Sequence, residues 1–230
     1  MNICLIPARG GSKRIPRKNI RYFCGKTMIS WSIEAATNAA CIDQVIVSTD
    51  DSEIAEIALS LGAKVPFLRP SELANDFTGT IPVVAHAIEW LQDKGQKFEA
   101  ACCLYATAPF VESDDIEKGY SLLEKAKENE FVFTACRYTS PIQRALRLDA
   151  STNKVNMLYP DNYNKRTQDL EKTYHDAGQF YWARPKGWLN STSMLEGSQA
   201  LILPNWRVQD IDTEDDWKRA ELLYKAMNVR

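Results

Sequence analysis

Several common devices are missing from this 230-residue sequence, and each absence removes a class of function. No apolar run approaches the ~20 residues that a membrane-spanning helix requires. The six cysteines form no C-x-x-C pair, and four of them (Cys4, Cys102, Cys103, Cys136) sit in apolar segments as small hydrophobes. That argues against structural zinc and against a disulfide framework. Met1-Asn2-Ile3-Cys4 carries no charged n-region with a signal-type core behind it, so the expected compartment is the cytoplasm. Without a secretion signal, the sequon Asn190-Ser191-Thr192 reads as accidental. A net charge of -2 gives no global pull toward nucleic acid or an anionic membrane. The two common phosphate motifs are also missing. Gly25-Lys26-Thr27 ends like a Walker A loop, but Ile20 stands where that motif needs glycine, and no G-x-G-x-x-G follows the first apolar run. There is no internal repeat and no low-complexity tract.

What is present is a concentrated basic stretch. Between Arg9 and Arg21 lie six cations (Arg9, Lys13, Arg14, Arg17, Lys18, Arg21), and no acid occurs before Glu34. Like charges 4 Å apart repel by roughly 4 kcal/mol near a protein surface, so such crowding needs a polyanion or water to absorb the field. Gly10 and Gly11 let the backbone bend and bring its N–H groups near a ligand. A strand, a basic glycine-containing loop and a helix together form a phosphate-binding arrangement.

Periodicity supplies the frame. Residues 2–8 read as a buried strand, 28–40 as a helix, 44–48 as a strand, 52–61 as a helix and 64–68 as a third strand. Residues 69–79 form a loop, 81–91 a helix, 99–105 a strand, 114–129 a charged amphipathic helix and 131–136 a strand. Short strands are expected at 180–183 and 200–203, with a closing helix over 213–227. Strands alternating with helices predict an α/β fold, a doubly wound and mainly parallel sheet. The stretch 137–180 breaks the pattern, with weak strands at 143–148 and 154–158 and no helix. It reads as an excursion from a single domain spanning 1–230, serving as a substrate lid or an oligomer contact.

Three groups of residues carry the candidate chemistry. Asp210-Ile211-Asp212, if extended, puts two carboxylates on one side, where a hard cation such as Mg²⁺ takes them along with phosphate oxygens and water. The alternative is two solvated acids before a helix. Arg69, Asp76, Thr78 and Thr80 follow the third strand, and open α/β sheets bind ligands outside the carboxyl ends of their strands. The loop after Tyr105 falls at the same end. Arg166 to Leu170 and Tyr174 to Tyr181 form the third group, in which His175 is open to a role as general base, anchor or sugar contact. His86, inside a helix, reads as structural.

Pro7-Ala8-Arg9-Gly10-Gly11-Ser12-Lys13-Arg14-Ile15-Pro16-Arg17-Lys18-Asn19 resembles the nucleotide-binding signature of the CMP-nonulosonic acid synthetases. Val47-Ser48-Thr49-Asp50, Arg69 to Asp76 and Asp210-Ile211-Asp212-Thr213 match that family in order and spacing. The resemblance implies a nucleotidyltransferase fold that joins CMP from CTP to a nonulosonic acid, with Mg²⁺, as a homodimer contacting through 137–180. It implies that Arg9 and Lys18 hold the triphosphate and the departing pyrophosphate, with Gly10, Gly11, Ser12, Lys13 and Asn19 completing the cradle. Arg69, Asp76 and Thr80 would serve the nucleoside, Asp210 and Asp212 the metal, and Arg166 the sugar carboxylate. Tyr105, Gln143, His175 and Gln179 complete the implied sugar site. His175-Asp176-Ala177-Gly178-Gln179-Phe180-Tyr181 looks like the pseudaminic acid branch, with sialic and legionaminic acid as alternatives. A DxD glycosyltransferase and a non-catalytic nucleotide sensor are the readings from other classes.

Overall fold

A computed structural model describes residues 1–227. The first apolar run forms β1 (Asn2–Pro7), whose residues are almost all buried. The basic loop leaves it and enters a hairpin of β2 (Tyr22–Phe23) and β3 (Lys26–Thr27). Cys24 and Gly25 turn that hairpin at φ 45° and 111°, the left-handed geometry that two-residue hairpin loops require. Then come α1 (Met28–Asn38), β4 (Gln44–Ser48), α2 (Ser52–Ser60), α3 (Thr80–Asp93), β5 (Ala100–Leu104) and α4 (Ser113–Lys125). The chain continues through β6 (Val132–Arg137), β7 (Leu146–Leu148), β8 (Val155–Met157) and β9 (Tyr174–Ala183). It closes with α5 (Pro185–Asn190), β10 (Gln199–Leu203) and α6 (Glu214–Met227).

Six strands make the central sheet in the order β10-β6-β9-β5-β1-β4. Only β9 runs antiparallel to its neighbours, so the expected α/β, mainly parallel sheet is what the chain builds. Side chains alternate across β1 and supply both faces. Cys4 and Ile6 pack with Ile33 of α1, Ile54 of α2 and Ile116 of α4, while Ile3 and Leu5 pack with Val84 and Ile88 of α3 and Trp188 of α5. A third apolar cluster joins the two chain ends: Ile15, Phe23 and Met28 meet Phe110, Ile211, Trp217 and Ala220.

Four expectations change. Residues 64–68 make only isolated bridges, Ile46 with Lys64 and Thr49 with Leu68, because Pro66 interrupts the ladder's donors. β9 begins at Tyr174, so 174–180 lies in the sheet and the excursion ends sooner than the sequence indicates. Of the weak strand at 143–148, only β7 is extended, and it pairs with β8 apart from the main sheet. The helix α5 has no counterpart in the periodicity; Pro185 opens it and its six residues are too few to show a period.

Candidate active site

β4, β1 and β5 are neighbours and parallel, so their carboxyl ends, and the loops that leave them, lie side by side. Those loops enclose a cavity of about 510 Å³. Of the residues singled out in the sequence, Arg9, Ser12, Lys13, Lys18, Asn19, Arg69, Asp76, Thr78, Thr80, Tyr105 and Asp212 line it. Gly10, Gly11, Gln143, Arg166, His175, Gln179 and Asp210 do not. Arg14, which sequence reasoning left outside the site despite its place in the basic run, does.

The basic loop is fastened from behind before it faces the cavity. The N–H of Gly10 donates to Asp50 Oδ1 at 3.0 Å. A Cβ on Gly10 would lie 2.5 Å from Asp51 Oδ2 and 2.9 Å from Asp51 Cβ, so this position requires glycine. Arg17, at φ 56°, turns its guanidinium to Asp51 and Glu53. Asp51 in turn accepts from Ile54 N at 3.0 Å as the N-cap of α2. The Arg17 guanidinium and the cap hydrogen bond hold the Asp51 carboxyl below the usual carboxylate range. Arg17 is thus a tether rather than a cavity cation.

Four other cations of the loop meet two carboxylates. Arg9 Nη1 lies 2.6 Å from Asp76 Oδ1, and Lys13 Nζ lies 2.5 Å from Asp76 Oδ2. Arg14 Nη2 is 2.9 Å and Lys18 Nζ 3.3 Å from the Asp212 carboxylate. Lys18 also donates to the carbonyl of Ile211 at 2.6 Å. Asn19 braces the loop by donating to the Arg9 carbonyl at 2.9 Å. Four cations against two acids leave the cavity wall cationic before Arg69 is added.

Arg69, the first residue of the 69–79 loop, is 6% exposed and lines the cavity. Its Nε donates to Ser48 Oγ at 3.1 Å, and a second nitrogen to the Ser48 carbonyl. Burial pushes its guanidinium down to about 10, against the pull of Asp50. On the adjoining wall, the Thr80 and Tyr105 hydroxyls are 2.7 Å apart, and burial pushes the Tyr105 hydroxyl up to about 12.

Asp210 and Asp212 sit in a loop rather than at a strand end, with Ile211 buried between them. Asp212 faces the cavity. Asp210 is exposed as a residue, yet local desolvation first, and the charge of Asp212 second, raise its carboxyl above the ordinary range. Among the described residues no salt bridge neutralises Asp210, and no cluster of three or more His, Cys, Asp or Glu side chains has metal-binding geometry. Asp210 and Asp212 are hard oxygen donors of the type a divalent cation takes with phosphate and water, and Asp212 is shared with Arg14 and Lys18.

The remaining candidates are held elsewhere. His175 pairs with Cys136 across β6 and β9, its Nε2 3.0 Å from the thiol sulfur and its Nδ1 2.8 Å from the Asp176 carbonyl. Both ring nitrogens are engaged. Gln179 donates to the Arg207 carbonyl at 2.7 Å, Gln143 to the Glu171 carbonyl at 3.3 Å, and Arg166 to Asp169 at 2.7 Å. His86 stacks edge-on to Phe67 at 5.1 Å, in the structural role its helix indicates. A residue the sequence did not mark is Arg207. It is 7% exposed and pairs with Asp115 at 2.9 Å and Glu112 at 2.5 Å, holding the start of the loop that carries Asp212.

Known proteins resemble this chain in sequence and in fold. Over 98% of this chain and 97% of its own length, the pseudaminic acid cytidylyltransferase of Campylobacter jejuni is 47% identical. The CMP-N,N'-diacetyllegionaminic acid synthase of Legionella pneumophila is 30% identical over 96% of this chain and 95% of its own. In structure, CMP:2-keto-3-deoxy-manno-octonic acid synthetase complexed with CTP superposes with a TM-score of 0.71 at 18% identity, covering 98% and 99% of the two chains. The cytidylyltransferase family model matches residues 3–199: the chain belongs to the cytidylyltransferase family.

Proposed function

We propose that this chain joins CMP, taken from CTP, to pseudaminic acid and releases pyrophosphate. The observation that carries the reading is the cavity in which Arg9, Lys13, Arg14, Lys18 and Arg69 converge with Asp212. The 47% identity with a pseudaminic acid cytidylyltransferase favours that sugar over sialic or legionaminic acid.

The sugar's anomeric hydroxyl attacks the α-phosphorus of CTP in line, the phosphorus–oxygen bond to the β-phosphate breaks, and pyrophosphate departs. Phosphoryl chemistry leaves the protein mainly positioning and charge neutralisation. Arg9, Lys13 and Lys18 oppose the charge that grows on the leaving pyrophosphate, and Asn19 and the Gly10 tether keep them aimed. Arg69, buried, and Thr80 line the same cavity and would serve the base. Asp212 with Asp210 would hold Mg²⁺. When bound, that ion supplies Lewis-acid polarisation of phosphate oxygens and lowers the pKa of a bound hydroxyl.

The excursion offers the support for a homodimer. Leu146, Leu148, Val155 and Tyr163 are all more than half exposed there, an apolar surface that a second copy would cover. Arg166, outside the cavity and on this excursion, serves a sugar carboxylate only if the excursion closes over a site. Sedimentation velocity tests the dimer. No described helix is long and apolar enough to cross a membrane, and the cytoplasm, where CTP is made, is the compartment this reading assigns.

Pyrophosphate release with CTP and a panel of nonulosonic acids tests the function. Fastest turnover with pseudaminic acid is expected; preference for another nonulosonic acid reassigns the sugar. Release of nucleotide from a nucleotide sugar would instead fit a DxD glycosyltransferase, and CTP binding without turnover a nucleotide sensor.

A further inference from the structure

One carboxylate ties the 69–79 loop to the cations of the basic loop. Asp76 gives Oδ1 to Arg9 and Oδ2 to Lys13, and neither cation has another acidic partner among the described residues. The other hydrogen bonds of residues 71–78 stay within the segment or reach the adjoining Pro70. Asn75 Oδ1 accepts from the N–H groups of Phe77 and Thr78 at 2.8 and 2.9 Å, and Asn75 Nδ2 donates to the Glu72 carbonyl at 2.7 Å. Phe77 is 96% exposed. The loop is thus braced internally and fastened to the cavity's cations through a single side chain.

Chemically, that carboxylate does what a phosphate oxygen would do at the same cations. It places an anionic oxygen on each of two side chains that line the cavity. Lys13 is 80% exposed at its side chain and has a flexible stem, so it can follow a different anion. A di- or triphosphate carries several charges against the single charge of Asp76, and competition for the two cations favours the phosphate.

Resting on the nucleotide-binding reading of this cavity, we propose that Asp76 is a resident counter-anion rather than a nucleotide contact. It aims Arg9 and Lys13 when no nucleotide is bound, cedes them to the phosphates, and reclaims them as pyrophosphate leaves. It acts through those two cations and is a positioning residue. The 71–78 loop therefore loses its tie while phosphate is bound and regains it on release, and product pyrophosphate always faces a competitor.

Titration calorimetry of inorganic pyrophosphate, without divalent cation, compares the wild type with Asp76→Asn, Asp76→Ala and Asp76→Glu. The Asn and Ala variants are expected to bind pyrophosphate about 3- to 10-fold more tightly, with a parallel fall in KM for CTP. Asp76→Glu, which keeps the charge, is expected to behave as the wild type. A purely structural role would lower the melting temperature without tightening any anion. Equal or weaker pyrophosphate binding by folded Asn or Ala variants overturns the proposal, as does a wild type that binds no pyrophosphate. The comparison is separate from turnover: a protein inactive with every nonulosonic acid, yet tightened by Asp76→Asn, would keep its counter-anion and lose the proposed activity.

Discussion

Lys18 and Asp212 are 194 residues apart in the chain, and Lys18 Nζ lies 3.3 Å from Asp212 Oδ1. The contact does not stand alone. Arg21 reaches Glu214 at 2.6 Å and lies over the Trp217 ring at 4.4 Å, while Ile15 and Phe23 share a buried cluster with Ile211 and Trp217. The amino-terminal cations and Asp212 are therefore presented to one cavity by a common apolar seat, and losses at either end should be felt at the other.

Asp212→Ala removes the carboxylate that faces Arg14 and Lys18 in the cavity. Turnover should drop by about 100-fold or more, the scale of losing a key electrostatic group. Circular dichroism should stay unchanged, because the side chain is 39% exposed and holds no core together. Near-normal pyrophosphate release at saturating CTP would remove this aspartate from the chemistry.

Asp210→Asn should make the protein slightly more stable and much less active. The Asp210 carboxyl is raised by desolvation and by Asp212, so the folded state holds its proton more tightly than the unfolded chain. An acid raised on folding binds more protons in the native state, so its contribution to stability falls as pH rises from the ordinary carboxylate range through the raised value. The stabilisation by Asn should be present at neutral pH and vanish in acid, where Asp210 is already neutral. Melting curves at both pH values decide; a gain that persists in acid contradicts this account.

Gly10→Ala places a Cβ against Asp51, which caps α2 and holds Arg17. Overpacking of this kind costs about 1–3 kcal/mol. KM for CTP should rise severalfold because the basic loop is displaced. A variant with wild-type melting and KM would show that the loop yields without consequence.

Arg207→Met should be the most destabilising of these changes, by about 3 kcal/mol, because it leaves the buried Asp115 without its cation. Adding Asp115→Leu should recover part of the loss. Denaturant melts of the single and double variants measure the coupling, and simple additivity would mean the pair is not a unit.

The basic loop was legible from sequence because its signal is local. Six cations in thirteen residues, with glycines behind an apolar strand, need no tertiary information to interpret. The helices with long apolar periods, α1 to α4 and α6, fell near their expected places for the same reason. Residues 64–68 did not. Their apolar content suggests a strand, but strand formation depends on a partner's ladder, and Pro66 withholds a donor from it. β9 reads shorter in sequence because Tyr174 to Gln179 is largely polar, and pairing of Tyr174, His175 and Asp176 with β6 draws the stretch into the sheet.

The site divides along the same line. Gln179 and His175 are polar residues near an aromatic run, and sequence pattern alone cannot separate a ligand contact from a strut. In the fold Gln179 donates to the Arg207 carbonyl and His175 meets the Cys136 thiol, and neither lines the cavity. Arg207 gave no signal, since an isolated arginine between a strand and an acidic motif looks like any solvated cation. Its burial follows from where α4 begins, with Glu112 and Asp115.

By itself the sequence determined which segments are strands and helices with strong local periods, and that a cationic, glycine-bearing loop follows the first strand. Tertiary structure alone decided which acids meet those cations: Asp76 takes Arg9 and Lys13, Asp212 takes Arg14 and Lys18, and Arg17 is turned away to Asp51. The reason is physical. Periodicity is written in neighbours a few residues apart, whereas an ion pair is fixed by distance in space, and that distance is set by the order in which strands join the sheet.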